Sequence, residues 1–226
     1  MNETLSEQIQ ADILRAMLDQ VVFEGWTRKA LMKAVETLDL PKGAEALYFP
    51  GGVLEIIEYW SAQCDQRTDS DIRALELETM RIRERITEAV WLRLNSLQGR
   101  EQAAQRAMAR LTLPDAVIKE VGGQGARQLW ATAHMIWRAI GDTSTDGNFY
   151  SKRAILSGVI GSALPVWLSD ESEDKAKARA FLEARIENVM QFEKLKWDMR
   201  KKTEHVPNPA EVLGRLRYGK FRRRRS

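Results

Sequence analysis

The chain is poor in the residues that thiol and metal chemistry need. One cysteine among 226 residues, Cys64, cannot close an internal disulfide, which points to a reducing compartment. Two histidines, His134 and His205, lie too far apart in sequence to build a zinc cluster. No window holds the roughly 18 uninterrupted apolar residues that a membrane span requires. Neither a Gly-x-Ser-x-Gly string nor a Glu-x-x-His pair is present, and Gly122-Gly123-x-Gly125 has no preceding strand to make it a phosphate loop. His134 has no serine, cysteine or carboxylate at a spacing that would pair with it as a base. The expectation is a protein with no catalytic residue, no metal and no cofactor.

What is present is an ordinary globular composition, 44% hydrophobic and 30% charged, long enough to bury a core. The formal charge of +3 conceals an asymmetry. Residues 1–80 carry 7 Lys and Arg against 15 Asp and Glu, whereas residues 194–226 carry 12 against 3. Any partner attracted by positive charge is therefore a partner of the C-terminal tail.

Apolar spacing reads as helix throughout. Ile9, Ile13, Leu14, Met17, Leu18 and Val21 recur at three and four residues before Gly25, and Ala30, Leu31, Ala34, Val35 and Leu38 repeat the pattern before Pro41. A third short element ends at Tyr48-Phe49-Pro50, and a fourth helix follows Gly51-Gly52. From Asp69 the spacing predicts one long helix to about Leu97, with Ile82, Ile86, Ala89, Val90 and Arg93 in a single stripe. Further helices are expected over 101–111, 114–121, 126–140 and from Ser144 or Thr145, as cap, toward Pro165. A charged helix should then persist to about Lys202, and Pro207-Asn208-Pro209 sets off the tail. The fold class is all-α. The division expected is a three-helix unit over 1–60, a helical bundle for ligand and dimer contacts over 61–203, and a basic tail over 204–226.

The first third is similar to the helix-turn-helix of TetR-type regulators. It has an apolar first helix, the bend Gly25-Trp26-Thr27, a short alanine-containing helix and a recognition slot closing at Tyr48-Phe49-Pro50. Sequence-specific DNA binding is the reading this invites. Charge argues against it, because phosphate contact by Lys and Arg supplies most of the nonspecific affinity. The slot Lys42-Gly43-Ala44-Glu45-Ala46-Leu47 offers one lysine and no Arg, Asn or Gln for base edges. No nucleic-acid partner is expected, and a TetR-type ligand-responsive repressor stands as the alternative.

The most distinctive string is GDTSTDGNFYSKR, Gly141 to Arg153. With the TetR-like start and Val90-Trp91-Leu92-Arg93-Leu94, it resembles the ubiquinone-biosynthesis accessory family, the ninth COQ protein, over about Ile13 to Val189. Against the family pattern G-D-x-S-T-D-x-N-W-Y-T-K-R the chain keeps Gly141, Asp142, Ser144, Thr145, Asp146, Asn148, Tyr150, Lys152 and Arg153. It departs at Phe149, where the family has Trp, and at Ser151, where it has Thr. The resemblance implies a TetR-like fold turned to holding an isoprenoid or quinone lipid. It also implies docking on a di-iron demethoxyubiquinone hydroxylase, or an equivalent quinone hydroxylase, through Asp146, Asn148, Phe149, Tyr150, Lys152 and Arg153. Read from the residues alone, Gly141 permits a helix stop and Asp146 suits a helix N-terminus.

Trp91, Trp130, Met135, Trp137, Ile155, Leu156 and Val159 are the candidates to line a lipid pocket between the middle helices; dry packing is the commoner fate of such stripes. In the tail, Val212, Leu213 and Leu216 share a face opposite Arg215 and Arg217, with Lys220 and Phe221 beyond. That pattern suits an amphipathic segment at an anionic membrane surface, where each basic residue is worth on the order of 1 kcal/mol. Gly214 and Gly219 weaken the free helix, so the tail should order on contact. The start, MNETLSEQIQ, reads as neither signal nor transit peptide. The expected place is the cytoplasm, peripheral to the inner membrane, or the mitochondrial matrix side if the chain is a processed organellar protein. A homodimer is expected.

Overall fold

The computed structural model describes residues 3–118, 123–145 and 147–203. Among them there is helix and turn and no strand. The three-helix start consists of α1 (Glu3–Glu24), α2 (Arg28–Thr37) and α3 (Ala44–Tyr48). Ile13, Met17 and Val21, at four-residue spacing, are fully buried, and α1 packs them on Ala30, Leu31, Ala34 and Val35 of α2. Gly25 turns the chain at φ +69, and Thr27 accepts from the amide of Ala30 to cap α2. Gln10 Nε2 donates to the carbonyl of Tyr48 at 2.8 Å and so pins the end of α3 to α1.

One indole joins this unit to the rest. Trp26 is 3% exposed, and its Nε1 donates to the carbonyl of Ala103 at 2.9 Å. Its ring stacks on Trp60 with centroids 5.5 Å apart.

The bundle is made of α4 (Val53–Arg73), α5 (Ile82–Asn95), α6 (Glu101–Leu111), the short α7 (Pro114–Ile118), α8 (Gly123–Ala139) and α9 (Gly147–Ser169). Helix α8 packs on both α9 and α4, and α5 also packs on α4. Ala103, Ala104 and Ala107 bring α6 close to its neighbours, and Trp167 on α9 is wholly buried with Nε1 donating to Asn95 Oδ1 at 3.1 Å. Helix α10 (Ala176–Thr203) begins by burying Ala178 and Leu182. Residues up to Arg185 form one compact unit, and the described part of the chain from Ile186 is the remainder of α10.

Two expected boundaries are corrected. The long helix from Asp69 to Leu97 is two helices: α4 ends at Arg73, a 3-10 turn spans Leu77–Thr79, and α5 starts at Ile82. No glycine or proline announces the break. The carboxylate of Glu84 makes it, by accepting from the backbone amide of Arg81 at 2.9 Å and capping a new N-terminus. Helix α9, expected to stop near Pro165, runs through it to Ser169. The proline forfeits one helical hydrogen bond, and the burial of Trp167 and Leu168 beyond it outweighs that loss.

Candidate functional site

Two regions of the bundle carry its polar chemistry. The first is the corner between α8 and α9. Helix α8 stops at Gly141, φ +90, where the Asp142 amide donates to the carbonyl of Trp137 at 2.8 Å and the Gly141 amide to that of Arg138 at 3.1 Å. This paired stop needs a left-handed residue, which glycine adopts without penalty.

The stop delivers the Asp142 carboxylate, 6% exposed, into a knot of donors. Lys152 Nζ donates to it at 2.7 Å, Ser144 Oγ at 2.8 Å and Arg153 Nη1 at 3.4 Å. Burial pushes this carboxyl up, but the Lys152 and Ser144 hydrogen bonds and the Lys152 charge outweigh burial and hold it below the ordinary aspartate value. Lys152 Nζ also donates to Ser144 Oγ at 2.7 Å. Ser144 is thus spent on this knot.

Arg153 is the centre of the corner and is only 1% exposed. Its Nε donates to His134 Nδ1 at 2.9 Å, its Nη1 donates to the Phe149 carbonyl at 3.0 Å, and its guanidinium lies 3.5 Å from the centroid of the Phe149 ring. A guanidinium that stacks and forks in this way is not replaceable by lysine. Accepting at Nδ1 keeps His134 in its neutral form. Burial first, and then the charges of Arg153 and Arg138, lower its affinity for a proton.

An aromatic ladder climbs from here to the surface. Phe149 meets Tyr150 edge-on at 5.1 Å, and Tyr150, 65% exposed, lies 6.2 Å from Trp130. Of the six residues expected to form a docking face, Asn148 and Tyr150 are exposed, while Phe149 and Lys152 are half-buried. Arg153 is a correction: it lies inside, because its charge is answered by Asp142 and its flat face by Phe149. Asp146 lies outside the described residues. The change from Trp to Phe at 149 leaves the feature that matters here, an aromatic face for Arg153.

The second region is a cavity of about 260 Å³ between α4, α5, α6, α8 and α9. Leu94, Leu111, Leu129 and Ile160 give it apolar walls, and its polar floor is built on Arg93. Arg93 Nε donates to Asp65 Oδ1 at 2.6 Å and Nη2 to Ser61 Oγ at 3.0 Å, while Thr132 Oγ1 donates to the same carboxylate at 3.0 Å. Burial raises the Asp65 carboxyl above its usual value against the opposing pull of Arg93.

None of the seven residues expected to line a lipid pocket borders this cavity. Trp130 and Trp137 serve the motif corner, where Trp137 Nε1 donates to the Lys152 carbonyl at 3.1 Å. Trp91 lies under Arg179 at 5.3 Å, Leu156 and Val159 are buried at 3%, and Met135 and Ile155 are half-buried. The helices that carry the expected residues, α5, α8 and α9, border the space together with α4 and α6, but on α8 and α9 the lining residues include the neighbours Leu129 and Ile160, one position away from Trp130 and Val159. Arg93 is the residue that sequence reasoning could have promoted, as a charge in an otherwise apolar stripe. The tail residues Val212, Leu213, Arg215, Leu216, Arg217, Lys220 and Phe221 lie outside the described residues. No helix among the described residues is long and apolar enough to cross a membrane.

Residues 123–193, which include both the motif corner and the α8 and α9 walls of the cavity, match the family described as COQ9. The chain is 30% identical over 191 residues to ubiquinone biosynthesis protein COQ9, mitochondrial, of Bos taurus, covering 81% of this chain and 58% of that protein. The Homo sapiens protein of the same name is 28% identical over 191 residues, again across 81% and 58%. The chain therefore spans under two thirds of the length of these relatives. Among solved structures, the TetR transcriptional regulator from Nitrosomonas europaea superposes with a TM-score of 0.63 at 18% identity, over 81% of this chain and 99% of that one. The TetR-like fold expected from the sequence is the fold observed.

Proposed function

From the premise that this chain is related to the COQ9 proteins and carries their motif on a TetR-like fold, we propose that it is a non-enzymatic accessory protein of ubiquinone biosynthesis. In this reading it takes a polyprenyl quinone precursor from the membrane and presents it to a quinone hydroxylase. The observation that carries the reading is the apolar-walled cavity bordered by α8 and α9, the two helices that the motif joins. Asn148, Tyr150 and the exposed part of Lys152 supply the partner-facing surface, with an exposed aromatic at its centre of the kind that anchors interfaces. The basic tail supplies the membrane contact, and a second copy of the chain completes a dimer.

The regulator alternative is not favoured. Lys29 and Lys33 on α2 both face Glu24, at 2.9 and 4.0 Å, so the unit's own acid answers cations that phosphates would need. Helix α3 is five residues long and exposes Leu47, an apolar side chain, at 65%.

Organic extraction of gently purified protein followed by mass spectrometry should return a polyprenylated ring compound. Empty protein would sink the lipid reading. A mobility shift on genomic fragments that weakens steeply with salt would restore the regulator.

A further inference from the structure

At the α8–α9 corner a histidine accepts a hydrogen bond from an arginine, a pairing that lasts only while the imidazole is neutral. Arg153 Nε donates to His134 Nδ1 at 2.9 Å, so the ring proton sits on Nε2 and Nδ1 offers its lone pair. The guanidinium does not give up its charge. A proton on Nδ1 would turn the acceptor into a second donor and set two cations against each other at hydrogen-bond distance.

The surroundings make that state costly. Arg153 and Lys152 on α9 and Arg138 on α8 bring three cations to this corner, and the Asp142 carboxylate is taken by the two on α9. The ionisable groups that other elements bring against α8 are engaged elsewhere. Asp65 of α4 holds Arg93 of α5 and Thr132, Glu58 of α4 holds Gln124 and Arg127, and Arg110 of α6 holds Asp115 of α7. Burial, and then the charges of Arg153 and Arg138, keep the proton affinity of His134 below the ordinary histidine value.

What the bond holds in place is an aromatic face. The guanidinium of Arg153 lies 3.5 Å from the Phe149 centroid, and the His134 ring packs on the same phenyl at 5.8 Å. Phe149 in turn meets the exposed ring of Tyr150 edge-on at 5.1 Å. Asp142 reaches Arg153 only at 3.4 Å, so the shorter bonds to His134 Nδ1 and to the Phe149 carbonyl, at 3.0 Å, set the tilt of the guanidinium.

We infer that His134 is a positioning residue for the Phe149–Tyr150 face and makes that face proton-sensitive. With the imidazole neutral, Arg153 is held under Phe149 and Tyr150 is presented. With it protonated, Arg153 leaves Nδ1 and the face loses its set. The inference rests on the reading of this corner as the partner-facing surface and adds its regulation: docking is favoured near neutral pH and above, and weakens in mild acid.

The test uses the full chain labelled with para-fluorophenylalanine. The fluorine line of Phe149 is identified by its loss in Phe149→Leu, and the imidazole resonance of His134 by its loss in His134→Asn. Both are followed by NMR from about pH 7.5 to about pH 4.5, a window that spans the ordinary histidine value. The two signals should move together below that value, with midpoints within about 0.3 pH unit of each other. His134→Asn puts an amide oxygen where Nδ1 stood and takes up no proton, so its Phe149 line should move by less than about a fifth of the wild-type span. His134→Leu offers no acceptor and should show a displaced line already at the neutral end. Acid unfolding, followed by circular dichroism, is common to wild type and His134→Asn, so only the difference between them counts. The inference is overturned if the Phe149 line of His134→Asn moves as the wild type does, or if His134 titrates while the Phe149 line stays. A static line in a protein whose extract holds a polyprenylated compound removes the proton control and leaves the accessory role standing. A coupled titration with an empty extract keeps the control of the face and removes the role.

Discussion

The α8–α9 corner and the central cavity share two helices, yet they treat polar groups in opposite ways. At the corner, Asp142 draws donors from three side chains, and Arg153 is answered on its edge and its face. In the cavity, the ion pair of Arg93 and Asp65 is answered, but the amide of Gln128 is not. A satisfied network fixes a shape; an unsatisfied group leaves a cost in the folded state. The corner is fully paired inside, and the cavity wall is not.

The contrast breaks first at Arg153. Replacing it by Met removes a buried cation from beside Asp142 and His134 and strips Phe149 of its stacking partner, so urea denaturation should register a loss of about 3 kcal/mol. Lys152 still reaches Asp142, which keeps the loss at the lower end of what a broken buried pair costs. Gly141→Ala should cost about 1–2 kcal/mol in the same measurement, purely through its left-handed backbone, because nothing lies within 4 Å of the new methyl. In the cavity the sign reverses. Gln128→Leu removes an unanswered amide and should raise the stability of the protein by about 1 kcal/mol, seen as a higher melting temperature.

The smallest effect is in acid. The Asp142 carboxyl lies below its ordinary value, so its stabilisation is complete above the unfolded carboxylate range and is lost as pH falls through the folded value. Asp65 lies above its ordinary value, so protonation relieves the native state and partly offsets that loss. Melting temperatures followed from pH 6 to 3 should therefore fall less steeply in Asp142→Asn than in the wild type, and more steeply in Asp65→Asn.

What could be read from the sequence follows the same line. Helices marked by three-four spacing and closed by Gly25, Pro41 or Gly141 lie where expected, because those residues act locally. The break at 74–81 did not announce itself, since its cause is a carboxylate cap that looks like any other glutamate in a charged helix. The middle helices could be named as the walls of a pocket, but their rotation could not, and Leu129 and Ile160 took the places expected of Trp130 and Val159. Arg153 sits in a run of charges and aromatics that reads as surface. Its burial depends on Asp142, eleven residues earlier, being turned inward by the stop at Gly141. Local pattern names the elements, and long-range pairing decides which face of each looks inward.

Helix α6 has a role beyond filling space. At one end Ala103 receives the indole of Trp26, and eight residues on, about 12 Å along the axis, Leu111 forms cavity wall. A rigid rod held at one end by the Trp26 indole and bordering the cavity at the other ties the three-helix start to the cavity wall. A TetR-like fold thus keeps a mechanical line between cavity and three-helix start, whether or not anything waits at that start to be moved.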